Sequence, residues 1–573
     1  MKQADLKLSP LIALLFVILL PGGCQEKNTV VRLAVTSDVH GMIFPTDLIN
    51  REVSDHSLAH VCRYVTGERH REDTTLFLLD NGDILQGQPT AYYYNFIDTV
   101  QEHLVARVMN YMGYRAGTVG NHDIEAGPRV YGRIRDSFRF PWLAANVVHE
   151  GTKRPWFQPY TMLESKGRKI AVLGLITPGI PNWLPKNLWP EMEFRDMVET
   201  AAEFVPLILE QEDPDLLVGL FHSGTDAGYG GAEEVYMNEN ASLLVAEHVP
   251  GFDVIFAGHD HGVSGRWVKN VAGDSVLVMD PGSHARNLAE VTVSFAGDRA
   301  EIAGRIVPLN GYTPSEAFME EFRDDLGRVT GYLDDTLTLL SEDMDALDAL
   351  FGPSTLASLL HRIQLEISGA DLSFTAPLSV TAFLKEGPLL VSDLFKLYRY
   401  ENLLYTMRLT GHEIDSYLEY ATGLWFNTMQ SKNDHLLRFD DSQSPGRLAS
   451  PYYNFSSAAG IDYTVDLRCP PGERVTISGF SDGTPFSESA YYRVAINSYR
   501  GNGGGGHLTR GAGIEQDSLS ARILWSSGKD LRYYLMQYLT RRDTLYPELI
   551  PNWTCIPGDW SSHAAATDRK FFR

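Results

Sequence analysis

Short, nearly continuous runs of apolar and β-branched residues recur through the first half of the chain, and longer amphipathic stretches separate them. Five such runs occupy residues 30–35, 75–79, 170–176, 216–220 and 254–257. Runs of this length and composition are typical of strands that are buried on both faces. Their alternation with amphipathic stretches predicts a layered α/β domain that ends near residue 310.

Five short motifs rich in Asp, His, Asn and Gly each follow a predicted strand. An open α/β sheet carries its functional loops at the carboxyl ends of its strands, so position and composition both indicate a binding site. In chain order the motifs are Asp38-Val39-His40, Gly82-Asp83, Gly120-Asn121-His122-Asp123, His222 and Gly258-His259-Asp260-His261.

The residue types in these motifs suit divalent cations. In an extended segment, residues two apart point to the same side, so Asp38 and His40 could chelate one ion. The Asp83 carboxylate could bridge two ions, and His259 and His261, about 6.5–7 Å apart along an extended chain, suit neighbouring ions. Taken singly, each motif is more often a solvated loop, a turn or a core histidine. The prediction therefore depends on the ordered set.

This order of motifs resembles the calcineurin-like metallophosphoesterase superfamily over roughly residues 30–310. The resemblance implies two divalent metal ions that share Asp83. The first ion would be held by Asp38, His40, Asp83 and His261. The second ion would be held by Asp83, Asn121, His222 and His259. Mixed His, carboxylate and amide ligands suit Zn, Mn or Fe.

His122 directly follows Asn121 and is not needed in either set of ligands. The resemblance implies that it stabilises the phosphoryl transition state or the leaving oxygen. In related 5′-nucleotidases an aspartate three positions further on orients this histidine, and Glu125 stands in that place here. A longer carboxylate can serve the same role. The reaction we expect is hydrolysis of a phosphate ester by a metal-activated hydroxide.

An amphipathic helix is predicted to join this domain to a second one. Residues 313–316 combine an N-cap, a helix-starting proline and a capping-box glutamate. We expect a linker over 313–350, a substrate domain over 351–549 that opens with a helix over 354–367, and a polar tail over 550–573. This half resembles the 5′-nucleotidase family, whose second domain binds the nucleoside. The expected fold is a layered αββα metallophosphoesterase domain over 28–310 and a smaller α+β domain.

A tyrosine and an arginine precede a glycine-rich loop in the second half, and glycine allows close approach of a backbone to a ligand. In the family a comparable segment lines the base pocket, and the Tyr-Arg pair resembles the 2′,3′-cyclic-nucleotide 2′-phosphodiesterase/3′-nucleotidase branch. Tyr499 with either Tyr453 or Phe455 would stack on the base, or these rings would simply pack within the protein. Arg500 would supply a cation. The predicted substrate contacts are Tyr499, Arg500, Tyr453, Phe455, Gly503 and Gly504.

The resemblance implies an enzyme that hydrolyses phosphate esters of nucleotides. Its expected substrates are nucleoside monophosphates, 2′,3′-cyclic nucleotides or both. One alternative is a UDP-sugar hydrolase of the same family. Another is a non-catalytic surface lipoprotein that binds nucleotides, but this reading predicts broken ligands, whereas all seven ligand positions are chemically competent.

The net charge of −24 argues against a protein that grips long nucleic acid through its phosphates. Residues 1–23 resemble an export signal, because their apolar run is too short to span a bilayer. Cys24 follows two glycines, as in the lipobox of bacterial lipoproteins. We expect a periplasmic or cell-surface protein that is anchored through a lipidated Cys24, with simple secretion as the alternative. Cys469 and Cys555 are the candidate disulfide pair.

Overall fold

The computed structural model describes residues 29–71, 74–228, 236–297, 299–398, 400–440 and 446–572. The predicted export signal and Cys24 lie outside these residues. Within the described ranges, no helix combines the length and the apolar composition that crossing a membrane requires.

Two six-stranded sheets form the first domain, and all five predicted strands lie in them. The first sheet has the spatial order Arg299–Pro308, Asn287–Ala296, Thr29–Thr36, Thr74–Asp80, Tyr114–Thr118 and Trp142–Leu143. The second has the order Val263–Lys269, Ser275–Pro281, Val254–Phe256, Leu216–His222, Arg168–Ile176 and Tyr160–Ser165. The central strands of both sheets run parallel, so their carboxyl ends meet at one edge.

The two sheets pack face to face through aliphatic side chains. Val31, Leu33 and Val35 of the first sheet contact the same cluster as Val218 and Phe256 of the second. Helices cover the outer faces: Leu58–Arg69, Leu104–Met112, Pro128–Ser137, Met197–Glu212 and Ser242–His248. The domain also contains three short helices, Pro89–Tyr92, Asn121–Glu125 and Ile180–Trp183. The layered αββα prediction is confirmed.

The linker is helical as predicted, but it is not one continuous helix. It consists of Glu316–Glu321 and Arg323–Asp334, with a break at Phe322. Ser315 caps the first of these, because its side chain accepts a hydrogen bond from the backbone N–H of Phe318. The break occurs where Phe322 is buried in the core of the first domain.

The second domain is α+β, as predicted. Its main sheet has the order Ser457–Ala459, Leu372–Thr375, Tyr491–Asn497, Leu403–Thr410 and Ile523–Asp530. Smaller sheets contain Gly387–Leu390, Thr336–Leu340 and Thr544–Leu545, then Val475–Phe480, Ile461–Asp466 and Trp553–Ile556, and Met344–Asp345 with Phe383–Leu384. The helices are Thr355–Ser368, Val391–Leu397, Gly411–Trp425, Ser498–Gly501, Leu519–Arg522, Leu531–Thr540 and Gly558–Asp568.

Both ends of the second domain differ from the predicted bounds. The strand Thr336–Leu340 lies within the segment predicted as linker, yet it pairs with Thr544–Leu545 of the second domain. The segment after residue 550 is not a tail, because Trp553–Ile556 pairs with Ile461–Asp466 and a helix follows it. Short strands of this kind depend on distant partners and carry little local signal. The predicted disulfide is absent as well: Cys469 and Cys555 are free thiols.

Candidate metal centre

The structure brings the seven predicted ligands together at the edge where the parallel strands end. Asp38 and His40 follow the strand Thr29–Thr36, and Asp83 follows Thr74–Asp80. From the second sheet, His222 is the last residue of its strand, and the His259–His261 segment follows Val254–Phe256. The remaining ligand, Asn121, opens the short helix Asn121–Glu125.

The ligand atoms form two overlapping groups. Asp38, His40 and His261 offer atoms within 4.8 Å of one another, and so do Asp38, Asp83 and His222. Nε2 of His40 lies 2.9 Å from Nε2 of His261. In the second group, Oδ2 of Asp83 lies 3.2 Å from Nε2 of His222. The carboxylates of Asp38 and Asp83 are almost fully buried, which suits groups that share cations.

The donor and acceptor roles at this site fit bound cations. Nδ1 of His222 donates to the Asn81 carbonyl at 2.7 Å, and Nδ1 of His40 donates to the Gln86 carbonyl at 3.0 Å. In the neutral rings, both Nε2 atoms then carry lone pairs that point into the site. At His222 that lone pair faces Oδ1 of Asn121 at 3.1 Å and the carboxylate of Asp83. This arrangement of acceptors suits a positive charge among them, either a proton on Nε2 of His222 or a bound cation.

The carboxylates of this site change the pKa of His222. Burial lowers that pKa, but the carboxylates of Asp83 and Asp38 outweigh burial and raise it to about 10. Around His40 the balance is the opposite, because burial and the neighbouring histidines hold its pKa well below the ordinary value. The two ends of the centre therefore differ in their electrostatic surroundings.

Strained backbone places the ligands. Five of the proposed ligands have positive φ, between 50° and 76°: Asp38, His40, Asp83, His259 and His261. Residues other than glycine rarely adopt this region. Glycine is required where these loops touch: a Cβ at Gly258 would lie 2.2 Å from Oγ of Ser37. A side chain at position 258 would therefore collide with the loop of Asp38.

Asp123 is a buried residue of the third motif to which the sequence analysis assigned no role. Its carboxylate accepts hydrogen bonds from the backbone N–H groups of Gly120, Asp83, Ile84 and Leu85 at 2.8–3.0 Å. Burial and the neighbouring Asp83 raise its pKa to about 6. Asp123 ties the loop of Asp83 to the loop of Asn121, and its place within the third motif was the only signal for it.

His122 and Glu125 form the pair that the sequence analysis expected. Nδ1 of His122 lies 2.5 Å from Oε2 of Glu125, and the His122 backbone N–H donates to Oδ1 of Asp83 at 2.8 Å. Burial lowers the pKa of His122, but Asp83 and Glu125 outweigh burial and raise it to about 9. Because one helical turn separates the two side chains, the longer glutamate reaches the ring without distortion. Glu125 therefore fixes the orientation of the imidazole.

The predicted substrate residues lie in two different environments. Tyr499 and Tyr453 are partly exposed, whereas Phe455 is buried and stacks on Trp425, with ring centres 5.5 Å apart. The prediction that Phe455 could stack on a base is wrong in this conformation, because its ring belongs to the core of the second domain. Tyr453 is the alternative that the structure leaves at the surface.

Arg500 is not placed as a substrate cation. Its guanidinium is buried and donates to the carbonyls of Tyr453 and Gly504, both at 2.6 Å, and to Oδ1 of Asn454 at 3.1 Å. The same group lies 5.3 Å from the ring centre of Tyr499. Arg500 therefore connects the segment of Tyr453 to the glycine-rich loop, and the prediction of a free cation there is corrected.

The glycine-rich loop approaches the metal centre through Trp183. Nδ2 of Asn502 donates to the Trp183 carbonyl at 3.0 Å, and the Trp183 ring stacks on His259 with centres 5.5 Å apart. A Cβ at Gly504 would lie 2.6 Å from the Tyr499 ring, so glycine lets that tyrosine fold against the loop. Trp183 was not predicted, because no motif surrounds it and its role depends on contacts with distant residues.

Comparisons with known families match both halves of the chain. Residues 31–263 match the family model for calcineurin-like phosphoesterase, and residues 329–510 match the model for the 5′-nucleotidase C-terminal domain.

Individual relatives are distant but extensive. The trifunctional nucleotide phosphoesterase protein YfkN of Bacillus subtilis is 26% identical, and the aligned region covers 92% of this chain but only 39% of that protein. The 2′,3′-cyclic-nucleotide 2′-phosphodiesterase/3′-nucleotidase of Haemophilus influenzae is 23% identical, over 92% of this chain and 87% of its own length. A Staphylococcus aureus structure solved with α-ketoglutarate has the same fold, with a TM-score of 0.76 and 22% identity over 92% of this chain and 99% of its own.

Proposed function

The chain combines a calcineurin-like phosphoesterase domain with a 5′-nucleotidase C-terminal domain, and we propose that it hydrolyses phosphate esters of nucleotides. The observation that carries this proposal is the convergence of acceptor atoms from both sheets beside the His122–Glu125 pair. Such a site can hold cations, bind a phosphate and supply a group for the leaving oxygen.

Two divalent cations would share this site. One would bind Asp38, His40, Asp83 and His261. The other would bind Asp83, Asn121, His222 and His259. The mixture of imidazole, carboxylate and amide ligands suits Zn, Mn or Fe. When bound, such ions lower the pKa of water and neutralise charge on a phosphoryl group.

His122 would act on the leaving oxygen. Glu125 occupies Nδ1, so Nε2 is the ring nitrogen that can face a substrate. The hydrogen bond from the backbone N–H of His122 to Oδ1 of Asp83 keeps the His122 ring next to a proposed ligand of both ions. The ring centres of His122 and His40 are 5.5 Å apart, which places the acid group at the centre but outside both ligand sets. General acid catalysis of this kind contributes about 10²–10⁴ in rate.

The second domain would bind the nucleoside. Tyr499 and Tyr453 are partly exposed aromatic side chains on segments that Arg500 holds together. A base stacked on an aromatic ring gains about 1–3 kcal/mol whatever its identity. Asn502, three residues after Tyr499, reaches Trp183 at the metal centre, so this loop lies beside the place where the phosphate would bind. Gly503 and Gly504 would line the approach.

The name of the Haemophilus influenzae relative favours nucleotides with phosphate at the 3′ position or in a 2′,3′-cyclic ester among the possible substrates, and the name of the Bacillus subtilis relative favours nucleotide phosphoesters in general.

Export and anchoring through Cys24 stay predictions. They are tested by growing cells that produce the protein with a radioactive fatty acid and measuring the label on the protein. A Cys24→Ala variant provides the control, because it should incorporate no label.

A substrate panel tests the proposed function. Purified protein is stripped of metal, supplied separately with Mn, Zn, Mg and Co, and incubated with 5′-AMP, 3′-AMP, 2′,3′-cyclic AMP and UDP-glucose. The products are separated and quantified by chromatography, because the cyclic ester opens to a monophosphate and UDP-glucose gives UMP and glucose 1-phosphate, in both cases without release of inorganic phosphate. We expect hydrolysis of at least one nucleotide, with metal required. Hydrolysis of UDP-glucose alone, to UMP and glucose 1-phosphate, would favour the UDP-sugar hydrolase alternative. No hydrolysis of any of the four with any metal would contradict the proposal.

A further inference from the structure

A sixth strand end contributes to the edge at which the proposed ligands lie. Ser275–Pro281 pairs in parallel with Val254–Phe256, the strand that leads to His259 and His261. The residues after Pro281 therefore emerge beside those two histidines. They form the segment Gly282-Ser283-His284-Ala285, which none of the five sequence motifs includes.

Three imidazole rings meet at this point. The ring centre of His284 lies 5.3 Å from that of His40 and 6.0 Å from that of His261, and the rings of His40 and His261 are 4.9 Å apart. Imidazoles that bind a common ion through nitrogens about 2.0–2.1 Å from it hold their ring centres about 4.5–6 Å apart. All three pairwise distances fall in this range. The same range also includes the 5.5 Å between His40 and His122, and the converging ligand atoms of Asp38, His40 and His261 form a group without His284. The ring spacing therefore permits one ion among the three rings, and the choice of His284 as a ligand depends on its backbone and hydrogen bonds.

The backbone of His284 shares the conformation of the proposed ligands. Among the described residues, twelve other than glycine have positive φ, and five of them are Asp38, His40, Asp83, His259 and His261. His284, at φ 61°, and Ala285, at φ 53°, add two successive residues to this group. Such backbone conformations are strained, and strain of this kind concentrates at functional sites.

Two hydrogen bonds hold His284 in this position. Its backbone N–H donates to the carbonyl of Asp38 at 2.7 Å, which ties its segment directly to a proposed ligand. Its Nδ1 lies 2.8 Å from Oγ of Ser283, so Nε2 is the nitrogen that can bind an ion. Metal-binding histidines commonly have one ring nitrogen fixed by a neighbouring group in this way.

We propose that His284 is a further ligand of the ion held by Asp38, His40 and His261, and that it binds through Nε2. The inference rests on the proposed function only in that it requires a cation at this end of the centre. It gives that ion three imidazoles, whereas the resemblance supplied two. A site rich in imidazole favours Zn, Fe or Co over Mg.

Metal binding by the full-length protein tests the proposal. Metal-stripped wild type, His284→Ala and His284→Asn are titrated with Co²⁺, and stoichiometry, affinity and the visible absorption spectrum are recorded. Asparagine tolerates positive φ, so His284→Asn keeps the backbone conformation and removes the imidazole. His261→Ala is the positive control, and His248→Ala, on the helix Ser242–His248 away from the centre, is the matched negative control.

We expect both His284 variants to bind one ion as the wild type does and to lose at least about tenfold in affinity for the other, with a changed Co²⁺ spectrum. Wild-type affinities and spectrum in both variants would overturn the proposal, even if hydrolysis were impaired. Wild-type protein that binds no Co²⁺ would instead contradict the proposed function. The two failures are therefore distinguishable.

Discussion

Arg500 illustrates at the residue scale how one side chain can organise a binding surface without touching the ligand. Its guanidinium donates to acceptors on two separate segments, at Tyr453 and Asn454 and at Gly504. The planar group presents several donors in a fixed fork, which a lysine ammonium cannot reproduce. The partly exposed tyrosines therefore depend on a buried charge behind them.

Replacing this residue should separate positioning from chemistry. Arg500→Lys should lower the free energy of unfolding by about 2 kcal/mol, because buried carbonyls lose their donors. KM for the nucleotide should rise while kcat changes little, since the metal centre is untouched. Urea unfolding and steady-state kinetics measure both effects. Arg510→Lys, an exposed arginine over the Tyr420 ring, is the control, and equal effects in the two variants would contradict this role for Arg500.

Individual residues of the site were predictable to the extent that their signal is local. Asp38 with His40 and His259 with His261 are each defined by a short spacing after an apolar run. His122 with Glu125 is likewise a pair one helical turn apart. The choice between Tyr453 and Phe455 was not predictable, because it depends on which of two neighbouring aromatic residues faces Trp425 in the folded core.

At the scale of elements, a buried carboxylate is a principal attachment of the linker to the first domain, beside the bonds from Arg51 to Asp334 and Leu333. Asp325 on the helix Arg323–Asp334 accepts from the Tyr94 hydroxyl at 2.5 Å, from Arg107 at 2.8 and 3.1 Å, and from Arg328 at 2.6 Å. Burial raises the pKa of Asp325, but the hydrogen bonds from Arg107 and Tyr94 outweigh burial and hold it below the ordinary value. These bonds tie the linker helix to the first domain, while Tyr332 of the same helix contacts Met536 of the second domain.

Asp325→Asn should lower the free energy of unfolding by about 2–3 kcal/mol at neutral pH. A depressed folded-state pKa stabilises the protein above the unfolded value of about 3.9, and this stabilisation is lost as pH falls through the folded pKa. The difference between wild type and variant should therefore be constant from pH 5 to 8 and shrink below about pH 4.

Urea unfolding across this pH range measures the difference. Asp324→Asn, at an exposed position of the same helix, should change the free energy of unfolding by no more than about 0.5 kcal/mol. A difference for Asp325→Asn that stayed unchanged down to pH 3 would contradict the assigned ion pairs.

Element boundaries were predictable where capping residues define them. The predicted helix over 354–367 is observed as Thr355–Ser368, capped by Ser354 and ended by Gly369 at φ 57°. The sequence analysis did not predict the strands Thr336–Leu340 and Trp553–Ile556, because each pairs with a strand that is distant in the sequence. The break at Phe322 likewise reflects packing rather than a helix-breaking residue.

At the scale of the whole molecule, the contacts that join the described residues of the two domains include two besides those from Arg51 to Ser392. Asn502 binds the carbonyl of Trp183. On the other side, Arg532 lies 4.7 Å from the ring centre of Tyr92 and 4.2 Å from that of Phe395. Neither contact has a sequence signal, because the partners are hundreds of residues apart. The relative placement of the domains therefore followed only from the structure.

Removal of the Asn502 side chain tests whether the first of these contacts helps to bind substrate. A hydrogen bond of this kind contributes about 0.5–1.5 kcal/mol, so Asn502→Ala should raise KM by roughly threefold to tenfold with unchanged metal content. Gln516→Ala is the matched control, because Gln516 binds the Asn502 carbonyl without reaching Trp183. A similar KM in both variants and the wild type would show that the contact is incidental.

The central claim is that one carboxylate is shared by two ions while His122 acts on the substrate. Asp83→Ala and His122→Ala test it most directly when metal content by mass spectrometry and nucleotide hydrolysis are measured on the same samples. We expect Asp83→Ala to lose both ions and all activity. His122→Ala should keep both ions and lose at least about 10²-fold in turnover. Full turnover in His122→Ala, or two ions retained in Asp83→Ala, would contradict the account.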